Sequence, residues 1–184
     1  MNFTLPNAVE FALTSLEKAG FEAYIVGGCV RDILRGETPS DYDITTSATP
    51  KQTISVFENE RIIETGLQHG TVTLIKDGMP LEITTYRIDG GYTDNRRPDS
   101  VIFTPNLKED LARRDFTVNA FAYSPKSGII DVFGGREDLN NKIIRSVGDA
   151  DGRFNEDALR IMRAIRFASV LGFEIEEHTK KSIF

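Results

Sequence analysis

Apolar residues at Val9, Leu13 and Leu16, with Phe11 and Ala12 beside them, recur at the 3.6-residue period of an amphipathic helix, so a helix is expected from Asn7 to Ala19, stopped by Gly20. The pattern then changes. EAYIVGG (22–28) is a short β-rich run ended by a glycine pair, and CVRDILRG (29–36) reads as a short helix closed by Gly36. DYDITT (41–46) alternates as a strand does, and Thr49-Pro50 has the form of an N-cap followed by proline at the first helical position, starting a helix through Phe57.

GTVTLIKDGMPLEITTYR (70–87) predicts a hairpin turned at residues 76–79. IDGGYTDNRRPDSV (88–101), interrupted by glycines, aspartates and Pro98, is expected to be a mobile loop without regular structure. After LARRDFTVNAFAYS (111–124) a second hairpin turns between Pro125 and Gly128, and a longer helix is expected from Asn155, its N-cap, to about Leu171, with Gly172 as terminator. From about Asp149 the pattern is nearly all helical. This places a boundary between a mixed head, 1–148, and the start of a helical neck, 149–184, and the unterminated KKSIF at the end predicts a continuation.

With 184 residues, 40% of them hydrophobic, the chain is long enough for a substantial core. Its net charge of -6 gives no overall attraction to nucleic acid, so any such contact has to be local. The single cysteine, Cys29, has no internal disulfide partner, and there is neither a signal-peptide pattern nor an apolar run near the roughly 18 residues of a membrane span. A cytoplasmic protein is expected.

The acids at 41 and 43 stand out chemically. On a strand, Asp41 and Asp43 share one face while Tyr42 points into packing, and two like charges on one face repel unless a cation lies between them. Oxygen ligands of this kind suit Mg²⁺, completed by water and substrate phosphates; a solvated strand carries the same alternation. Glu82 stands between apolar neighbours, where a lone carboxylate is costly to bury unless it joins the same cluster, and three acids on adjacent strands resemble a two-metal phosphoryl-transfer site. Gly27-Gly28 lets backbone N–H groups approach an anion, and Arg31 in the next helical turn could donate to phosphate; the plainer alternative pairs Arg31 with Asp32 or Glu37. Downstream, Arg113, Arg114 and Asp115 precede an apolar segment. Asp157, Arg160, Arg163 and Arg166 follow three residues apart, so Asp157 and Arg160 should project side by side on a helix, although ion pairs such as Glu156 to Arg160 account for the same spacing.

In order, GGCVRD (27–32), DYD (41–43), RRDFTVNAFAY (113–123), DVFGG (131–135) and EDALRIMRAIRF (156–167) resemble the motif set of class II tRNA nucleotidyltransferases, the CCA-adding enzymes, and of the related bacterial poly(A) polymerases. The resemblance covers about Tyr24 to Phe167. It implies an α+β fold of nucleotidyltransferase (polymerase beta-like) type, a small mixed sheet with flanking helices followed by the start of a helical neck. It further implies that Gly28 and Arg31 bind the incoming triphosphate, that Asp41 and Asp43 ligate Mg²⁺, and that Glu82 is the third catalytic carboxylate. Arg114, with Asp115 close by, falls near sugar and phosphates; Asp157 and Arg160 fall on the base, supported by Arg163 and Arg166. The implied activity is addition of C and A to the 3′ end of tRNA from CTP and ATP, by two-metal in-line attack with release of pyrophosphate.

Base choice follows from hydrogen-bond chemistry. Cytosine and adenine both present an amino donor beside a ring-nitrogen acceptor, so a carboxylate accepts from the amino group while a neighbouring guanidinium donates to the ring nitrogen, whereas uracil and guanine would set acceptor against acceptor. The DNRRPD segment (94–99) resembles the flexible loop of CCA-adding enzymes, and the acidic balance differs from the basic poly(A) polymerases. Poly(A) synthesis, A-only addition and a non-catalytic nucleotide- or RNA-binding module are the alternatives. The partners implied are the tRNA 3′ end, CTP and ATP, with no membrane.

Overall fold

The computed structural model describes residues 3–92 and 100–184, so the DNRRPD segment lies outside the described residues. The chain opens with α1 (Asn7–Lys18), whose buried Val9, Ala12, Leu13 and Leu16 are the stripe read from the sequence. Then come β1 (Ala23–Val26), α2 (Gly28–Leu34), β2 (Asp43–Thr46) and α3 (Pro50–Val56). All four residues of β1 are buried, as a central strand covered on both faces requires. Helix α3 starts as expected from Thr49, and Gln52 completes a capping box with it. Strands β3 (Arg61–Ile63), β4 (Thr71–Lys76) and β5 (Met79–Thr85) follow. Asp77 and Gly78 join β4 to β5 with φ of 52° and 77°, the two-residue turn whose twist matches a hairpin.

Next, β6 (Arg87–Asp89) and β7 (Val101–Phe103) pair antiparallel. Both ends of the segment expected to be irregular are therefore strands, because their backbone groups satisfy each other across the glycines. Beyond α4 (Leu107–Ala112) and a 3₁₀ turn (Thr117–Asn119) lie β8 (Phe121–Ser124) and β9 (Gly128–Asp131), the second expected hairpin. Asp131 accepts from the N–H groups of Gly135 and Arg136 at 2.8 and 2.9 Å, which caps α5 (Gly135–Asn141). A Cβ on Gly135 would lie 2.3 Å from the Thr117 carbonyl oxygen, so the second glycine of DVFGG is there for close packing. Strand β10 (Ile143–Ile144) precedes α6 (Ala150–Glu156), α7 (Leu159–Leu171), β11 (Glu174–Ile175) and α8 (Glu177–Lys181).

Seven strands form one mixed sheet in the order β3-β4-β5-β2-β1-β8-β9, with β2 and β5 parallel and all other neighbours antiparallel. Helices α1 and α2 lie on β1, and α3 on β4 and β5. The main core joins the sheet to Ala150, Phe154, Ala164 and Phe173 of the helix-rich end, and β11 pairs in parallel with β10. The segment after 149 is thus not wholly helical.

The single helix expected from Asn155 to Leu171 is two. Asp157 lies between α6 and α7 with extended backbone (φ -140°, ψ 100°), and Asn155 is inside α6, which is capped instead by the Asp149 carboxylate on the Gly152 N–H at 2.9 Å. Asp157 itself accepts from the Leu159 N–H at 2.9 Å. A short acid that bonds its own downstream backbone competes with helix continuation, and the apolar period carries straight through such a break.

Asp110 of α4 ties three elements together. Its fully buried carboxylate accepts from Arg113 at 2.9 and 3.0 Å, from the Thr45 hydroxyl of β2 at 3.1 Å and from the Arg87 N–H of β6 at 3.2 Å. Removing the acceptor strands buried donors and a guanidinium, so Asp110→Ala is expected to cost about 3 to 5 kcal/mol of stability. Urea denaturation checks this, and a loss below about 1 kcal/mol, the worth of an exposed pair, would contradict the tie.

Candidate active site

At the end of β1 the chain turns at Gly27 into α2. Gly27 has φ 77°, so the backbone favours glycine, and a Cβ there would sit 2.9 Å from an Arg114 guanidinium nitrogen and push that side chain aside. Gly28 opens α2, whose first N–H groups have no intrahelical acceptor. Arg31, one turn on, is 8% exposed and aims its guanidinium back over this turn. Across from Val26 lies Asp43, the first residue of β2, and on the other side of Asp43 lies Glu82 of β5.

These elements enclose a cleft of about 380 Å³. Eight residues singled out from the sequence line it: Gly28, Arg31, Asp41, Asp43, Arg114, Asp157, Arg160 and Arg163. Arg113 and Asp115 also line it, as do Asn119 and Phe167, to which no role was assigned. Glu82 and Arg166 are not among the lining residues. Glu82 is exposed at the rim beside Asp43, so it is not the costly buried carboxylate that its neighbours suggested: it faces away from Leu81 and Ile83, which enter the core. Arg166 is exposed on α7 and lies over the Phe167 ring at 5.2 Å.

Asp41 precedes β2 rather than belonging to it, so strand alternation does not align the two acids. They nevertheless face the same cleft, while Tyr42 between them is buried. Burial among the cleft walls raises the Asp43 pKa above its ordinary value, although the side chain still reaches water; Arg114 opposes the rise, and the charges of Glu82 and Asp41 add to it. Burial draws the Arg114 pKa down, with Asp110 and then Asp43 pulling the other way and Arg113 adding to the fall. Its Nε is buried without a partner among the described residues.

The plainer pairings also form. Arg31 bonds Asp32 at 2.8 and 2.9 Å, and Arg160 bonds Glu156 at 2.7 Å. Arg160 is 6% exposed and donates further to the carbonyls of Arg153 and Arg113. Burial alone would raise the Glu156 pKa, but hydrogen bonds from Arg160 and Arg153 hold it below the usual carboxylate value. Because the chain breaks at Asp157, that acid and Arg160 do not share one helix; they meet at the mouth of the cleft from the linker and the first turn of α7. Phe167 is ringed by Arg31, Arg163 and Arg166 at 5.4, 5.2 and 5.2 Å and stacks edge-on with Phe116 at 6.0 Å. In the sequence, a phenylalanine at helical spacing reads as core, and an asparagine in an apolar stretch as a turn, which is why neither signalled a place in the site.

The donor set fits a hard divalent cation: two carboxylates face one cleft, and the charge of Asp43 is only partly offset by Arg114. Among the described residues no three of His, Cys, Asp and Glu gather closely enough to hold a metal alone. Such an ion would need oxygen from water and a bound phosphate as well. No helix of the described residues is long and apolar enough to cross a membrane.

Residues 23–145 match the family model of the poly A polymerase head domain. The chain is 55% identical over 171 residues to a CCA-adding enzyme from Lactobacillus helveticus and 53% identical over 171 residues to one from Leuconostoc mesenteroides, covering 93% of this chain and 42% of each relative. The crystal structure of the Bacillus stearothermophilus CCA-adding enzyme in complex with CTP is similar at a TM-score of 0.89 and 44% identity, over 98% of this chain and 43% of that one. The chain thus spans less than half the length of these relatives.

A carboxyl group whose folded pKa is raised binds protons more readily folded than unfolded. Its contribution to stability therefore falls as pH rises from the unfolded value, about 4, through the folded one, and the full penalty is present above both. Asp43→Asn keeps the shape and removes the charge. Thermal melts should show it more stable than the parent at about pH 8, with the difference closing toward about pH 3. A variant less stable than the parent at the higher pH would refute the strained carboxylate.

Proposed function

Because the chain belongs to the poly A polymerase head-domain family, we propose that its cleft transfers nucleotides to RNA ends as a CCA-adding tRNA nucleotidyltransferase does, adding C and A to the 3′ end of tRNA from CTP and ATP and releasing pyrophosphate. The observation that carries this reading is the convergence, from four separate stretches of sequence, of a glycine turn, an acidic pair and five arginines on one cleft. The strong identity to CCA-adding enzymes favours this activity over poly(A) synthesis. In this reading the chain divides into a catalytic head, 1–148, and a helix-rich segment, 149–184, that supplies base selection.

Asp41 and Asp43 would hold Mg²⁺, with Glu82 lending charge from the rim. The metal, when bound, neutralises phosphate charge and makes the attacking hydroxyl more acidic. The protein's own groups do the rest. The N–H groups at the start of α2 and the guanidinium of Arg31 receive the triphosphate, with Gly28 leaving room for close approach. Arg114, partly desolvated and short of a hydrogen-bond acceptor, is an electrostatic partner for negative charge that develops on the reacting phosphorus oxygens. At the other end, Asp157 spends Oδ1 on the Leu159 N–H and has Oδ2 to accept from the amino group of cytosine or adenine. Arg160, immobilised by Glu156 and two carbonyls, presents its remaining N–H groups to the ring nitrogen, while Arg163 lines the cleft from α7 and Arg166 supports it from outside through the Phe167 ring. A uracil or guanine there would oppose carbonyl oxygen to carboxylate, a mismatch that cannot be relieved in a rigid pocket.

Labelled CTP and ATP, given singly and together to tRNA ending before the C, CC and CCA positions, test the reading. C then A incorporation, stopping at CCA, is expected; unlimited ATP incorporation would assign poly(A) synthesis instead, and no incorporation with either nucleotide would refute catalysis. Asp41→Ala and Asp43→Ala are expected to lower the rate at least about a hundredfold with the fold intact by circular dichroism, and a rate within about tenfold of the parent would remove the metal assignment. Asp157→Ala should raise UTP and GTP misincorporation relative to CTP. Loss of correct incorporation with no gain of wrong bases, in a folded variant, would exclude base reading by this carboxylate.

A further inference from the structure

Asn119 lies where two opposite charges meet. It is 6% exposed, in the 3₁₀ turn before β8, and its side chain has one charged neighbour at each end. Arg31 donates to its Oδ1 at 2.6 Å, and its Nδ2 donates to Asp115 Oδ1 at 3.1 Å. Arg31 is gripped on its far side by Asp32, and the other oxygen of Asp115 accepts from Arg163 at 2.6 and 2.7 Å. A continuous row, Asp32, Arg31, Asn119, Asp115, Arg163, therefore runs from α2 to α7, alternating in charge with one neutral link.

The chemistry of that link is restrictive. Facing a guanidinium it has to accept, and facing a carboxylate it has to donate; a short amide does both. Its orientation is fixed, since the flipped amide would set N–H against N–H and oxygen against oxygen. The Phe167 ring, near both Arg31 and Arg163, fills space between them but imposes no direction on either.

We propose that Asn119 is a positioning residue for the nucleotide: it fixes the distance between Arg31, on the phosphate side of the cleft, and the Asp115–Arg163 pair, on the α7 side. The two ends of one nucleotide are thereby bound in a set relation. This rests on the reading of the cleft as a nucleotide-transfer site. Without the amide, the only hydrogen-bond partner left to Arg31 among the described residues is Asp32, its neighbour on α2, so nothing ties its guanidinium to Asp115, which remains with Arg163. The charged groups around position 119 are Arg31 from α2, Asp115 beside it, Arg163 from α7 behind Asp115, and Arg114 and Asp43 further along the cleft wall.

The decisive variant is Asn119→Asp, which keeps the shape and replaces the donor with an oxygen facing Asp115. Equilibrium binding of CTP and ATP with Mg²⁺ should weaken about tenfold or more at about pH 8. Lowering the pH should restore part of the loss, read as the ratio to wild type, because two adjacent carboxyls share a proton and the protonated one donates again. Asn119→Ala should weaken binding similarly without that recovery. In turnover, KM for the nucleotide should rise by a larger factor than kcat falls. Wild-type protein that binds neither nucleotide would overturn the nucleotide reading and this proposal with it. Wild-type binding with Asn119→Asp within about twofold of it would overturn this proposal alone. A pH-independent weakening in both variants, matched by equal losses of thermal stability, would make Asn119 merely structural and overturn it too.

Discussion

Confining several guanidinium groups to one cleft of a few hundred cubic ångströms is the constraint on which this structure turns. Arg31, Arg113, Arg114, Arg160 and Arg163 all line it, in a chain whose net charge is -6. Like charges at such separations repel strongly once water is thinned. The protein answers with buried or half-buried carboxylates, each set against particular arginines: Asp110 against Arg113, Asp115 against Arg163, and Glu156 against Arg153 and Arg160. None of these pairs needs to be a large net source of stability, because desolvation cancels much of the attraction. What they fix is direction. Each of these guanidinium groups is held by a particular acceptor beside the cleft.

The opposite wall has the opposite problem. Asp43, Asp41 and Glu82 carry negative charge with little besides Arg114 to offset it, and the raised pKa of Asp43 records that cost. A cleft with a positive side held rigid and a negative side left strained is suited to a ligand that brings both polyanionic phosphate and a divalent cation. The sheet makes the arrangement possible. Pairing β2 between β1 and β5 places Asp43 beside both the glycine turn and Glu82, and the buried Asp110 joins β2 to the Arg113–Arg114 corner.

The helix-rich end is part of the same construction. Its strand β11 adds to β10, Thr179 bonds the Ser146 N–H at 3.1 Å, and Arg153 donates to carbonyls at Val147 and Ala112. The break at Asp157 sets the angle at which α7 brings Arg160, Arg163 and Phe167 across the cleft. A continuous helix would have aligned Asp157 with Arg160 on one face. The observed break brings them together from different elements instead, with Arg160 anchored in the wall from the first turn of α7 and Asp157 half-exposed at the mouth from the linker.

Local signals were legible in the sequence wherever the physics is local. The α1 stripe, the Thr49-Pro50 start, the Asp77-Gly78 turn and the glycine pair after β1 depend on neighbours within a few residues, and Arg31, Asp41, Asp43 and Arg114, picked out by residue type and motif order, do line one cleft. Pairings between distant segments were not. That Arg31 would meet Asn119, 88 residues away, that Phe167 would sit among three arginines, and that Glu82 would face solvent at the rim are consequences of sheet register and helix docking. So is the split between α6 and α7, because an apolar period of 3.6 survives a two-residue break and only packing against the core reveals it. The amino-acid order by itself determined which groups are available and where the chain can turn; the tertiary structure decided which of them face one another, since hydrogen bonds and ion pairs act over a few ångströms of space whatever their separation along the chain.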